Sequence, residues 1–243
     1  EDYANAEKSF KRINNLQPSI STYKWLMLIA NNQKDYEKSI SFFNEAESLN
    51  LEEEQGLSVL YNNKGYALLE LHKYKEAIEA YDVAIDIDPK NVDAYDGKAS
   101  ALVKINYYKD AVKSFDKVIY LAPKYINAYK GKGYALEMLE HYERANNVYD
   151  DAIRINSKNA DIYNLKGKLL EKLELYDDAK IAYTKAIKID SRYFDAYANK
   201  INLLLQSMNY AEALDVCDEA ISLGSNNLNV YINKCHALVL MGR

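Results

Sequence analysis

The side chains that could do acid–base, nucleophilic or metal chemistry are few and scattered along this chain. His72, His141 and His236 stand far apart, and Cys217 and Cys235 form no CxxC pair. Neither zinc spacing nor a dithiol motif is present, and there is no glycine-rich phosphate loop. The carboxylates are many but spread along the chain, as on a solvated helical surface, and name no acid–base pair. What does recur is a lysine. Lys64, Lys98, Lys132, Lys166, Lys200 and Lys234 follow one another at a fixed interval, and Asp82, Asp116, Asp150 and Asp218 fall in a second register of the same interval. A row of ammonium groups could hold an acidic ligand. Alternatively, the alkyl stems pack between copies while each ammonium reaches a carboxylate. The second reading is preferred, because Asp93, Asp161 and Asp195 would oppose an acidic ligand and are suited to helix N-termini. The expectation is therefore no catalytic residue, no metal and no cofactor. The two cysteines are expected to be buried, reduced thiols, with a bridge or a ligand pair as the alternative.

The interval is 34 residues, a length typical of repeat proteins. With Ser58 as position 1, later copies begin at Val92, Ile126, Ala160, Phe194 and Leu228. An earlier copy begins at Ile20 and carries a four-residue insertion within about Leu49–Leu57. Residues 1–19 match only the second half of a copy. Position 4 is tyrosine throughout, from Tyr23 to Tyr231, and position 17 is tyrosine from Tyr3 to Tyr210. Position 20 is always small. Position 24 reads Phe10, Phe43, Tyr81, Phe115, Tyr149, Tyr183 and then Cys217. All three prolines, Pro18, Pro89 and Pro123, fall at position 32.

Each copy holds two helical periods. Tyr61, Gly65 and Leu68 share one face of a first helix, and Ala77, Tyr81 and Ala84 share one face of a second. His72–Lys73 connects them, and so short a turn makes the helices antiparallel. Pro89 stops the second helix and Asn91 can cap the next. A lone pair of helices leaves one apolar face uncovered, so the pairs must stack. The tyrosine columns are expected to run through that stack as ladders.

These residues resemble the tetratricopeptide repeat, a helix–turn–helix unit with an early aromatic, Gly at position 8 (Gly65, Gly133, Gly167), Ala at 20 and 27, and Pro at 32. Met27 and Ile201 depart from the small residue at position 8, so those helices should sit slightly apart. Ser157, Ser191 and Ser225 replace proline, which should soften those turns. The resemblance implies an all-α, right-handed superhelical solenoid of antiparallel helix pairs, about 14 helices long. Its parts are a half repeat (second helix) at 1–19, a repeat with insertion at 20–57, repeats at 58–91, 92–125, 126–159, 160–193 and 194–227, and a half repeat (first helix) at 228–243, together one array over 1–243.

In the family, the face of the first helix opposite the core lines a concave groove. Positions 5, 6 and 9 on that face supply Lys24, Trp25, Asn62, Asn63, Tyr66, Lys130, Tyr134, Asn164, Lys168, Asn199, Asn202 and Asn233 as candidate ligand-binding residues. Asparagine offers a peptide backbone both a donor and an acceptor, and Trp25, Tyr66 and Tyr134 are aromatics outside the structural columns, suited to anchoring a peptide. Chaperone-binding relatives clamp a C-terminal carboxylate with Lys at 5 and Asn at 9. Here Lys24 meets Leu28 and Lys130 meets Tyr134, so that clamp is absent and a chaperone tail is not the expected partner.

The expected function is a non-catalytic scaffold that binds a protein or peptide segment in this groove. One alternative is self-assembly, in which the last first-type helix of one copy completes the initial second-type helix of another. It is suggested by Gly242–Arg243 and Glu1–Asp2, which occupy the same two register positions. A further alternative is a substrate-recruiting region of a larger enzyme such as a glycosyltransferase. The chain has 243 residues, a net charge of −5 with both signs mixed, and 49% apolar residues. No basic face for nucleic acid is expected, no run is long enough for membrane insertion, and paucity of cysteine fits a reducing, cytoplasmic setting.

Overall fold

Few glycines and prolines, and abundant Ala, Leu, Lys and Glu, favour helix. The computed structural model describes residues 2–49 and 54–242. Among them are fourteen helices and no strand: α1 (Asp2–Leu16), α2 (Ile20–Asn32), α3 (Tyr36–Ser48), α4 (Glu54–Glu70), α5 (Tyr74–Ile87), α6 (Val92–Lys104), α7 (Tyr108–Leu121), α8 (Ile126–Met138), α9 (Tyr142–Ile155), α10 (Ala160–Lys172), α11 (Tyr176–Ile189), α12 (Phe194–Gln206), α13 (Tyr210–Ser222) and α14 (Leu228–Leu240). The first-type helices start at position 1 of the repeat, except α4, which begins one turn earlier at Glu54. That extra turn absorbs the described part of the insertion; residues 50–53, and the Glu1 and Arg243 ends, lie outside the described residues. The chain forms two compact units, Glu1–Ala135 and Leu136–Arg243.

Each hairpin closes in the same way. Position 15 is in the left-handed region at Lys34, His72, Asn106, Glu140, Glu174 and Met208, with φ between 58° and 63°. In these six hairpins the amides of positions 15 and 16 return to the last turn of the first helix, for example His72 N–H to Leu69 O at 3.0 Å and Lys73 N–H to Leu68 O at 2.9 Å. This is a Schellman closure. Between repeats, Asn91 and Asn159 cap α6 and α10 through their side chains. Asp88 accepts from the Lys90 amide and Asp190 from the Arg192 amide, both at 2.9 Å, so the turn with Ser191 keeps the bond of the turn with Pro89.

Inside each unit the core is built from positions 4, 8, 20, 24 and 27. Phe43, Tyr81, Phe115, Tyr149, Tyr183 and Cys217, all at position 24, are buried. A Cβ placed on Gly65 would lie 2.7 Å from the Tyr81 ring, and one on Gly167 would lie 2.5 Å from the Tyr183 ring. The position-8 glycine is thus what lets the ring cross under the first helix. Where Met27 and Ile201 stand instead, α2 against α3 and α12 against α13 approach less closely along their backbones than α4 against α5 or α10 against α11.

Two expectations are corrected. The position-17 tyrosines are not seam residues: Tyr3 is 51% exposed and Tyr176 47%, and the others of the column are half-buried. As the first residue of the second helix, position 17 sits at the hairpin tip, where Tyr74 pairs with His72 Nδ1 (2.9 Å) and Tyr108 donates to Asn106 (2.6 Å). Cys235 is exposed, unlike Cys217. It occupies position 8, which elsewhere faces the second helix of its own repeat, and among the described residues no helix follows α14.

Candidate functional site

The lysine column resolves into a ladder within each unit. Lys98 pairs with Asp82, Lys132 with Asp116 at 2.5 Å, Lys166 with Asp150, and Lys234 with Asp218 at 2.5 Å. Each lysine reaches back to position 25 of the preceding repeat. Two members lack an aspartate there and show why the pairing holds. For Lys200 the residue in that register is Thr184, and its ammonium lies 3.7 Å from Glu212 instead. For Lys64 the residue in that register is Asn44, and its ammonium lies 4.2 Å from the centre of the Phe43 ring, a cation–π contact. The column therefore links neighbouring repeats, each of these ammonium groups being engaged within the chain.

The proposed groove residues divide into bonded pairs and an open recess. In the unit from Leu136 onward, Asn199 donates to Asn164 Oδ1 at 2.9 Å and Asn164 donates to the Tyr193 hydroxyl at 3.4 Å. Asn164 is buried, its amide engaged at both ends. Asn233 donates to Asn202 at 2.5 Å. Lys168 is exposed on α10. Tyr193 donates to Asp161 at 2.9 Å, and burial, then this carboxylate, pushes its hydroxyl above the ordinary tyrosine pKa.

In the first unit, position 6 serves stacking more than access. Trp25 lies parallel to Phe10, centroids 6.0 Å apart and planes 15° apart, and Lys24 Nζ is 5.8 Å from the indole centre. Gly97 and Gly131 at the same position leave room for Tyr81 and Phe115 of the preceding repeat; an added Cβ would come within 2.3 and 2.2 Å of those rings. One face of Trp25 is therefore spent on the array, although the residue remains 43% exposed. Lys130 is half-buried and Tyr134 exposed on α8.

Asn62, Asn63 and Tyr66 do come together. They line a recess of about 420 Å³ with Leu28, Asn31, Asn32, Leu69, Tyr81, Asp93, Asp96, Gly97 and Ser100. Tyr66 is 41% exposed and meets Tyr36 edge-on, centroids 6.2 Å apart. Asp96 accepts from the Tyr125 hydroxyl at 3.2 Å. Burial raises its carboxyl above the usual range, the Tyr125 bond opposes that, and the charge of Asp93 adds to it. Burial and then Asp96 push the Tyr81 hydroxyl upward as well. The sequence reading omitted Asn31, Asn32, Asp93 and Asp96 from the site. They stand at positions 12, 13, 2 and 5, and the helical period alone puts all four on the face away from the core.

Among the described residues no three His, Cys, Asp or Glu side chains are placed to hold a metal ion, and no helix is long and apolar enough to cross a membrane. Two models of the tetratricopeptide repeat match the chain, one over residues 58–91 and one over 92–125 and 160–193. No curated protein matches it in sequence. Among solved structures it is similar to MamA, with 25% identity and TM-score 0.61 over 68% of this chain and 91% of that one. It shares the fold of YrrB, described as a TPR protein with an unusual peptide-binding site, at 22% identity and TM-score 0.59 over 79% and 97% of the two chains. It also shares the fold of the C-terminal part of a TPR repeat-containing protein from Cytophaga hutchinsonii, at 16% identity and TM-score 0.77 over 96% and 94%. The repeats and these neighbours support a protein-interaction scaffold. With its period, its hairpins and its repeat matches in agreement, the chain is a tetratricopeptide repeat protein.

Proposed function

We propose that the chain is a non-catalytic binding module that holds a protein or peptide segment against the outward face of its first-type helices. The observation that carries this reading is the recess at Asn62, Asn63 and Tyr66, where amide groups and an exposed ring meet in one hollow on that face. Backbone amides of an extended segment match the asparagines, and Tyr66 and Tyr134 offer anchoring surface. Unpaired thiols at Cys217 and Cys235 agree with a reducing, cytoplasmic setting. The test is partner capture by the Tyr66→Ala, Tyr134→Ala double variant. Both rings are exposed, so helicity should be preserved while capture weakens. Capture at the wild-type level overturns the assignment.

A second reading, head-to-tail self-association, is favoured by one observation: α14 leaves Leu228, Ile232 and Val239 more than half exposed. Light scattering over a concentration series checks it, and a mass that stays that of one chain at high concentration rules it out.

A further inference from the structure

Where positions 12 and 24 of a repeat are both polar, they bond across the hairpin. Tyr149 donates to Glu137 at 2.7 Å, and Tyr183 donates to Glu171. Glu137 receives a cation too: Lys172, at position 13 of the next repeat, donates to it at 2.7 Å.

The recess in the first unit breaks this pattern in two opposite ways. On α2 the acceptor is present as Asn31, but position 24 of that repeat is Phe43, which has no hydroxyl to give. Position 13 of the next repeat is Glu70, so no lysine arrives either. Asn31 is only 6% exposed; its Nδ2 donates to the Asn63 carbonyl at 3.4 Å, and its buried Oδ1 has no partner. On α5 the donor is present as Tyr81, but its position-12 residue is Leu69. Asn31 and Tyr81 line the same recess, and its charged lining side chains are Asp93 and Asp96.

Each class of occupant can be weighed against these groups. A carboxylate would face two carboxylates and a carbonyl oxygen. An apolar side chain would leave Asn31 Oδ1 unmet and strip more water from Asp96, at the cost of buried polar groups without partners. A cation supplies donors to all three acceptors and can lie against the Tyr66 ring. Asp93 also suits the first turn of α6, and Asp96 serves Tyr125, but neither role accounts for Asn31.

We propose that this recess takes the positively charged side chain, an arginine or a lysine, of the bound partner segment, with Asn31 Oδ1, Asp93 and Asp96 as its acceptors. This rests on the binding function proposed above and names the partner's chemistry at that site.

The test uses the intact 15N-labelled chain and four capped pentapeptides, acetyl-Gly-Gly-X-Gly-Gly-amide with X as Arg, Lys, Gln or Glu. The side-chain amide signals of Asn31, Asn62 and Asn63 report binding. The Arg and Lys peptides should shift the Asn31 amide and bind roughly tenfold more tightly than the Gln peptide, and added salt should erode that margin. The Glu peptide should not bind. Asp93→Asn with Asp96→Asn, and each single change, should remove the preference while melting as a folded protein. Equal binding of Arg and Gln, preference for Glu, no shift with any peptide, or a preference unchanged in the double variant each overturns the proposal. If it fails while Tyr66→Ala with Tyr134→Ala still weakens partner capture, the binding function stands without its cationic anchor. If that capture is also indifferent, both fall.

Discussion

Cys217 and Cys235 show how far environment separates two like residues. Cys217 fills the position-24 place of an aromatic ring, and burial, then the neighbouring Asp218, pushes its thiol up to about 11. The thiolate is the reactive form, so Cys217 should resist iodoacetamide at about pH 8 while exposed Cys235 is alkylated. Mass spectrometry of the native protein should find one label, and of the unfolded protein two; two labels on the native fold would contradict this burial. Burial shifts the Asp96 carboxyl in the same direction, but there the charged form is the one present at neutral pH. Its folded carboxyl holds a proton more tightly than in the unfolded chain, so it favours folding at low pH. That contribution is lost as pH rises through the raised folded value, leaving a charge that opposes folding. Asp96→Asn retains an oxygen to accept from Tyr125 and removes the charge. Its melting temperature at about pH 7 should equal or exceed wild type, with the gain shrinking as pH falls; a clear loss at neutral pH would mean the charge is compensated within the free protein. A residue that weakens binding and stabilises the fold when neutralised is one kept for its ligand.

Among the helices, the position-15 turn is the feature the sequence concealed. The left-handed conformation recurs in every fully described hairpin that closes, yet its residues are Lys, His, Asn, Glu, Glu and Met, none of them glycine. Only Gly242, in the same register and also at positive φ, hints at it. A non-glycine residue there costs about 1–2 kcal/mol. Met208 is 76% exposed and gives little packing, so Met208→Gly should stabilise the fold by roughly 1 kcal/mol, readable as a higher denaturant midpoint with unchanged slope. A lower midpoint would show that unfolded-chain entropy outweighs the relief of strain. Helix identity and phase were legible because a repeated pattern states each boundary many times over. The exposure of position 9, as at Tyr66, Tyr134 and Lys168, was legible for the same reason, whereas position 5 is buried at Asn164 and Ala198. Position 6 was not legible, because its role lies across repeats: a helical wheel drawn for α2 alone does not contain Phe10, on which Trp25 stacks. Nor does any single column reveal that Asn31 lacks a donor. That emerges only when position 12 is read against position 24 and against position 13 of the following repeat.

Over the whole molecule, stability should behave as a sum of local terms. In stacked repeats each hairpin leans on its neighbours, so the effect of a defect decays along the chain. Tyr183 is fully buried, under Gly167 and bonded to Glu171. Its truncation to alanine should cost roughly 3–5 kcal/mol. The helices that pack on α11 are α10 and α12, and α10 in turn meets α9. Amide exchange in Tyr183→Ala should therefore accelerate in α9 to α12, while α2 to α5, in the other compact unit, keep their wild-type protection. The alternative is one cooperative block, in which every amide of the core opens through global unfolding and all protection falls together by the full mutational cost. The two outcomes differ most at Tyr23, Leu26 and Phe43, which belong to a separate core cluster from Tyr183. Unchanged exchange at those amides supports the additive picture and means that binding at the Asn31 recess can be measured in variants disabled elsewhere. A uniform loss ties the recess to the integrity of every repeat, and each binding variant would then have to be matched in stability before its affinity is compared.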